Sequence, residues 1–302
     1  MKFLSKAVAP FDFDLSVRIF SDGDKQICRY ESGRYWQVVR VGEKLVLIVV
    51  KSLGTVDEPK LSVELKSNEE ISYRDKKIIR EIIDSIFSLR FDLKPFIKHV
   101  EKDRIMSRIV QKLRGLKAPA AETVFEALID SITEQQISLK VSQTLERKLI
   151  KTFGDVLELD GEVYYGFPTP KKLASASVEE LRGCGLSLRK AEYVRDLSAM
   201  IADGKLDLEE LKNRDEKEIV SELCKIRGIG VWTAELTMVR GMNKVDALPA
   251  DDLGLRRVIS HFYCGDRKIS AEEARRIAEK WGRWKGLAGG YLIFAEMLGV
   301  RN

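Results

Sequence analysis

Residues 225–259, KIRGIGVWTAELTMVRGMNKVDALPADDLGLRRVI, hold two glycines around one isoleucine, a helical run opening near a tryptophan, and two adjacent aspartates some twenty residues on. SELCKI (221–226) has helical spacing, RGIG (227–230) reads as a tight turn, and VWTAELTMV (231–239) reads as a second helix. The sum is a helix-hairpin-helix. Glycines on both sides of Ile229 let the backbone approach a phosphate closely, and the first-turn N–H groups of the second helix point outward, where the helix dipole favours an anion. Ile229 tucks between the helices. A contact of this kind grips phosphate and is blind to base sequence. A plain αα-hairpin with glycines for packing has the same local appearance, so the following aspartates carry the discrimination.

LPADD (248–252) places a proline in a connection and two carboxylates where a new helix, LGLRRVI, begins. One Asp suffices as an N-cap. Its neighbour either complements the helix dipole or points elsewhere. A carboxylate fixed at a helix start is a good stabiliser for a cation forming opposite it.

The rest of the chain sets the frame. KQICRYES (25–32), YWQVVRVGEKLVLIVVKS (35–52) and KLSVELKS (60–67) are rich in β-branched and aromatic residues, with turns at Gly23, Gly33 and Gly42-Glu43. They predict four or five antiparallel strands. From Tyr73 the period changes, and RDKKIIREIIDSIFSLRF (74–91) predicts a helix covering one face of the sheet. Beyond about residue 100 no strand is expected, only eight to ten short helices punctuated by Gly, Pro and Ser, without the fixed period of a solenoid. The fold class is α+β.

Composition bounds the function. With 302 residues, 44% hydrophobic and 33% charged, the chain is an ordinary globular sequence of two or three domains. A net charge of +5, from 52 basic and 47 acidic residues, favours an anionic partner only if the charge is sorted onto one face. No apolar run is long enough for a signal peptide or a membrane span, which predicts a cytoplasmic, nucleoid-associated protein that does not engage membranes. Four scattered cysteines and two histidines, His99 and His261, argue against a metal site and against Ser-His-Asp or Cys-His catalysis. Abundant Lys and Glu with few Asn and Gln fit a thermophile.

IRGIGVWTAELTMV followed by DDLGLRRV resembles the helix-hairpin-helix DNA glycosylase superfamily. Within it, VWTA, the ADD triplet and AEKWGRWKGLAGGYLIF (278–294) look like the AlkA-type 3-methyladenine DNA glycosylases, and PFDFDLS (10–16), EALIDSITEQQIS (126–138) and GFPTPKKLASASVEELRGCGLSLRKAEYVRDL (166–197) follow the same order. The resemblance runs from about Pro10 to Val300. It implies an N-terminal antiparallel β-sheet domain with covering helices over 1–98, then an all-α region of two helical subdomains. The first, 121–244, ends in the hairpin, and the second, 99–120 with 245–302, carries the catalytic aspartate.

Residue by residue, the resemblance puts Asp252 at the catalytic position, with Asp251 as the neighbour that caps or orients and Arg257 as a supporting residue. Trp232 stands where bifunctional members carry a Schiff-base lysine, which implies a monofunctional enzyme using water as nucleophile. Trp232, Leu236 and Phe20 are placed in the base pocket; Phe11 and Phe13 either stack there or belong to the core. Leu236 and Ile293 stand where relatives have aromatics. Gly228, Gly230 and Val231 of the hairpin, with Gln136 or Gln135 filling the gap left by a flipped base, are placed on the DNA. The implied partner is double-stranded DNA with damaged bases, of the 3-methyladenine, 7-methylguanine or hypoxanthine type, bound by a monomer. No cofactor is implied beyond a monovalent cation at the hairpin carbonyls. An 8-oxoguanine glycosylase and a non-catalytic hairpin DNA binder are the alternatives; no lysine at 232 weighs against the first, an anion facing DNA against the second.

Overall fold

The computed structural model describes residues 1–300. Strands β1 (Lys2–Lys6), β2 (Cys28–Glu31), β3 (Arg34–Val41), β4 (Lys44–Ser52) and β5 (Lys60–Lys66) form one antiparallel sheet in the order β1-β5-β4-β3-β2. A short helix, α1 (Phe13–Val17), separates β1 from β2 in the chain. The helix α2 (Tyr73–Ile86) starts with a reciprocal capping box between Ser72 and Asp75, which satisfies two backbone donors at its first turn. It buries Ile79, Ile83 and Ile86 against the sheet, as the three-and-four spacing requires.

One expectation is corrected. Two further strands, β6 (Val156–Leu159) and β7 (Glu162–Tyr165), form a hairpin in the helical part of the chain. Its turn, Asp160-Gly161, has positive φ at both residues (53° and 82°), the geometry that an Asp-Gly pair favours between right-twisted strands. The arms are only four residues each, too short to stand out between helices. Leu157 is buried against Val38, Leu45 and Leu47 on the sheet face opposite α2. The five-stranded sheet is therefore covered on both sides, which is why LVLIVV in β4 is an unbroken apolar run.

The remaining helices are α3 (Lys94–Val100), α4 (Arg104–Lys112), α5 (Val124–Glu134), α6 (Leu139–Phe153), α7 (Pro170–Ser175), α8 (Val178–Gly183), α9 (Leu188–Ala202), α10 (Glu216–Leu223), α11 (Val231–Gly241), α12 (Leu253–Tyr263), α13 (Ala271–Ala278) and α14 (Lys285–Met297). Eleven of them start after residue 100, slightly more than the eight to ten expected; α7 and α8 are separate one-and-a-half-turn pieces with their own Thr169 and Ser177 caps. They bury two cores. One gathers apolar side chains from α5 to α11; the other combines α3 and α4 with α12, α13 and α14 around Trp281 and Tyr291. The chain thus leaves this last core near Leu116 and returns to it at Leu248. No helix among the described residues is long and apolar enough to cross a membrane.

Where the sheet meets α5 and α6, carboxylates crowd together. Glu122 accepts the Arg40 amide of β3 at 2.8 Å, and the Glu122 amide donates to Glu126 at 3.2 Å. Glu126, Asp130 and Glu146 lie close enough to repel one another, and one oxygen of Asp130 is enclosed without a hydrogen-bond partner. Arg240 is engaged by Glu134. Burial, reinforced by the neighbouring carboxylates, pushes Glu126 up to about 8 and Asp130 well above the ordinary carboxylate range; burial also lifts Glu122 and Glu146 to about 7. A carboxyl whose folded pKa is raised lends stability below its unfolded pKa and loses it as pH rises through the folded value. The sheet–helix seam is therefore weakened between about pH 4.5 and 8. Asp130→Asn is expected to match the parent protein at pH 4 and to melt higher at pH 8, by at least about 2 °C, as judged by thermal denaturation across pH. A gap that fails to widen with pH would refute this account of the seam.

Candidate active site

The turn between α10 and α11 depends on one glycine. Gly228 has φ of +88°, and a Cβ there would lie 2.2 Å from the Tyr193 ring, so neither the backbone nor the space accepts a side chain. Ile229 beside it is buried in the core of α5–α11, as its place between two helices demands. Gly230 differs. It is the N-cap of α11 with extended backbone, contributes no side-chain cap, and a Cβ on it would meet nothing within 4 Å. The first N–H groups of α11 therefore face outward without a side-chain acceptor, next to an exposed Val231.

The two glutamines after α5 take separate positions. Gln135 turns inward, and its amide donates to the Gly228 carbonyl at 2.9 Å and to the Thr233 hydroxyl at 3.1 Å, bracing the turn from the neighbouring helix. Gln136 has φ of +59° and is exposed, a left-handed residue at the tip of the loop. Lys190 of α9 donates to the Thr133 carbonyl at 2.8 Å and ties down the end of α5.

One turn past Pro249 the chain enters α12, and Asp252 is its N-cap. Its Oδ1 accepts from the Leu255 amide at 2.7 Å, and its Oδ2 accepts from the Trp232 indole Nε1 at 3.2 Å. The two halves of the stretch 225–259 thus meet at one half-buried carboxylate. Gly254 leaves it room, since a Cβ at 254 would come to 3.0 Å from Oδ1.

Of the two roles expected for Asp251, capping or orienting, it does not take the first. The cap geometry belongs to Asp252, and Asp251 is turned toward Arg275 of α13, at 3.3 Å. Arg275 also grips Glu235 of α11 with both terminal nitrogens (2.7 and 3.1 Å) and donates to the Leu248 carbonyl at 3.1 Å. Burial pushes the Glu235 carboxyl up while the Arg275 guanidinium beside it pulls the other way, and the same contact raises Arg275. Sequence reasoning missed both residues. The available signal was a glutamate inside the otherwise apolar TAELTMV run, where a charge needs a partner.

The other predicted residues are dispersed. Leu236 is buried on α11 one turn beyond Trp232. Phe20 is half-buried, packed edge-on with its ring centroid 5.3 Å from that of Tyr35 in the sheet core, and Phe11 and Phe13 are core residues of that layer. Arg257 points to α14, where Glu296 holds it, and Ile293 is partly exposed. What the fold brings together is Trp232, Asp252 and the hairpin turn, with Gln135 behind it.

Residues 129–283 match the family described as the HhH-GPD superfamily of base excision DNA repair proteins. A DNA-3-methyladenine glycosylase of Bacillus subtilis (strain 168) is 28% identical over 287 residues, 94% of each chain. A solved 3-methyladenine DNA glycosylase from Archaeoglobus fulgidus superposes with a TM-score of 0.86 at 29% identity, covering 98% of this chain and 99% of the other. An 8-oxoguanine glycosylase/lyase of Clostridium acetobutylicum in complex with DNA has a TM-score of 0.77 at 22% identity, with 99% of both chains covered, a likeness of fold alone. Because that family match spans more than half of the chain and includes both the hairpin and Asp252, this protein belongs to the HhH-GPD superfamily of base excision DNA repair proteins.

Proposed function

We propose that the protein is a monofunctional DNA glycosylase that releases alkylated purines, of the 3-methyladenine and 7-methylguanine type, from double-stranded DNA. The observation that carries this reading is the 3.2 Å contact between the Trp232 indole and the Asp252 carboxylate. It supports a site with an anion, an aromatic wall and no amine. A purine alkylated at N3 or N7 carries positive charge, so its C1′–N bond is weakened and the base departs with the bonding electrons as a neutral molecule. The sugar left behind is oxocarbenium-like. Asp252, held by two neutral donors, stabilises that cation and accepts the proton of the water that attacks C1′, leaving an abasic site. The base must first leave the stack, at a cost of a few kcal/mol that is smallest for damaged pairs. Trp232 then offers a π-face to the electron-poor ring.

The hairpin supports the DNA half of the reading. Outward first-turn N–H groups next to an unobstructed Gly230 fit a phosphate, and exposed Gln136 is suited to enter the space vacated by the base, where its amide can hydrogen-bond the orphaned partner. An 8-oxoguanine lyase needs a nucleophilic amine at the position of Trp232. A pure binder has no use for a carboxylate aimed at an anionic polymer.

Two sets of variants test this. Asp252→Asn keeps one acceptor oxygen for the cap but removes the charge and turns an amide N–H toward the indole donor; base release from methylated duplex DNA should fall by about 10²–10⁴-fold while affinity for an abasic duplex persists. Undiminished release would eliminate the mechanism, and the same assay on a panel of defined lesions identifies the bases accepted. In the hairpin, Gly228→Ala is expected to lower the melting temperature, because its φ of +88° strains any residue with a Cβ and that Cβ would overlap the Tyr193 ring. Gly230→Ala should melt like the parent and bind abasic duplex about tenfold more weakly, roughly 1.4 kcal/mol, by fluorescence anisotropy. Equal binding by Gly230→Ala would separate the hairpin from phosphate contact.

A further inference from the structure

An open groove of about 220 Å³ runs along α12 from Leu253 and is walled by the loop that leads to α13. Four cationic side chains line it: Arg256 and Arg257 from the helix, Arg267 and Lys268 from the loop. Two are already neutralised, Arg257 by Glu296 and Arg267 by Glu273. Arg256 and Lys268 make no ion pair among the described residues, and the Arg256 Nε is an enclosed donor without a hydrogen-bond partner. The one carboxylate on the wall, Asp266, is engaged by the His261 ring at 2.8 Å. A guanidinium that lines a groove without a carboxylate partner is free to take an anion, and its fork matches the oxygens of a phosphate.

The position of the groove says which phosphate. It begins at the residue after Asp252 and follows α12 for about 10 Å, at 1.5 Å of rise per residue, and none of the residues that line it belongs to the hairpin. We propose that this groove is a second phosphodiester site, holding the DNA backbone beyond the extruded nucleotide while the hairpin holds it before. Resting on the DNA-binding part of the function proposed above, it adds a specific grip: backbone held at two places on either side of Asp252 keeps the intervening sugar against the carboxylate once the base is out of the stack. The Arg256 guanidinium supplies the directed contact and Lys268 the point charge.

The test is the salt dependence of DNA affinity, which counts phosphate contacts. Affinity for undamaged and abasic-analogue duplexes is measured between about 50 and 200 mM NaCl for the parent, Arg256→Gln, Lys268→Gln and the double variant. Each substitution should flatten the slope of log K against log salt by about 0.9, and the pair by about 1.8. Arg256→Lys should recover most of the lost slope. Unchanged slopes overturn the proposal, and so does a lowered melting temperature of Arg256→Gln with unchanged slope, which would make Arg256 structural. Should Arg256→Gln not fold, exposed Lys268 carries the test alone. Inorganic phosphate titrated in parallel separates a free-ion site from a backbone site: loss of phosphate binding with intact DNA slopes also overturns it. Base release is not the readout, so the two proposals fail separately. A parent that releases no base but shows the slope change loses the glycosylase reading and keeps the groove.

Discussion

Each oxygen of the Asp252 carboxylate is held by a different helix, Oδ1 by the first turn of α12 and Oδ2 by the indole of α11. Those helices belong to different cores, α11 to the one closed by α5–α10 and α12 to the one around Trp281. The carboxylate therefore spans a seam, and a shift of about 1 Å between the cores would break one contact or the other. Much of the surrounding structure resists that shift. Arg275 joins Glu235 on α11, the Leu248 carbonyl and Asp251 in one fork of hydrogen bonds. Gly286 lets α14 press directly on the connection before Pro249, since a Cβ there would come within 2.2 Å of the Ala247 carbonyl, and its amide bonds the Val245 carbonyl at 2.8 Å. Removing Arg275 alone leaves the buried Glu235 carboxylate without its partner, which is worse than losing both.

The order of the chain explains why the aspartate connection is held so firmly. The core around Trp281 is begun by α3 and α4, interrupted by the whole of residues 117–247, and completed by α12–α14. Bonds between distant parts stitch the pieces: the Tyr291 hydroxyl donates to the Leu116 carbonyl at 2.9 Å, the Asn243 amide to the Ser85 carbonyl at 3.1 Å, and the Ala121 amide to the Arg240 carbonyl at 2.8 Å. Both ends of the Asp252 connection are thus anchored in finished cores. The acidic seam between the sheet and α5 works in the opposite sense, storing repulsion where a well-packed apolar contact would have been more stable.

Periodicity made the α+β architecture legible: β-branched runs marked the sheet, three-and-four spacing marked α2, and capping residues marked most later helices. What escaped was short or non-local. The β6–β7 hairpin has four-residue arms whose alternation is no longer than chance allows between helices, and its burial is decided by Leu45 and Leu47, more than a hundred residues away in sequence. At the site, the spacing between GIG and ADD anticipated that the hairpin and the aspartates would meet, because a single helix and a short return connect them. It could not say which aspartate caps, since both stand at the same helix start and only the Arg275 side chain, from α13, draws Asp251 away. Phe20, Leu236 and Arg257 were placed by resemblance; Phe20 lies against Tyr35 and Arg257 against Glu296, contacts that a linear reading does not display, while Leu236 is buried one turn beyond Trp232. The groove along α12 needed charges from two separate elements and the absence of partners for two of them, neither of which is a motif.

The chemistry that this site favours follows from which groups surround the carboxylate. Its two hydrogen-bond partners are a backbone amide and an indole N–H, and neither gives up a proton in the range where enzymes work. No proton donor of ordinary acidity is bonded to Asp252, so a leaving base gains no help from that quarter. A base that departs readily must then bring its own activation, as a purine with a positive charge does and an unmodified one does not. A lysine at 232 would change both sides of this argument. Its ammonium would form an ion pair with Asp252, and only after losing its proton could it attack C1′. The indole forgoes that nucleophile and in exchange keeps the carboxylate oriented and lined by a π-surface. Discrimination in the proposed reaction thus resides as much in the electronics of the damaged base as in the shape of the pocket, and the protein's part is to hold one negative charge still where a positive one is about to form.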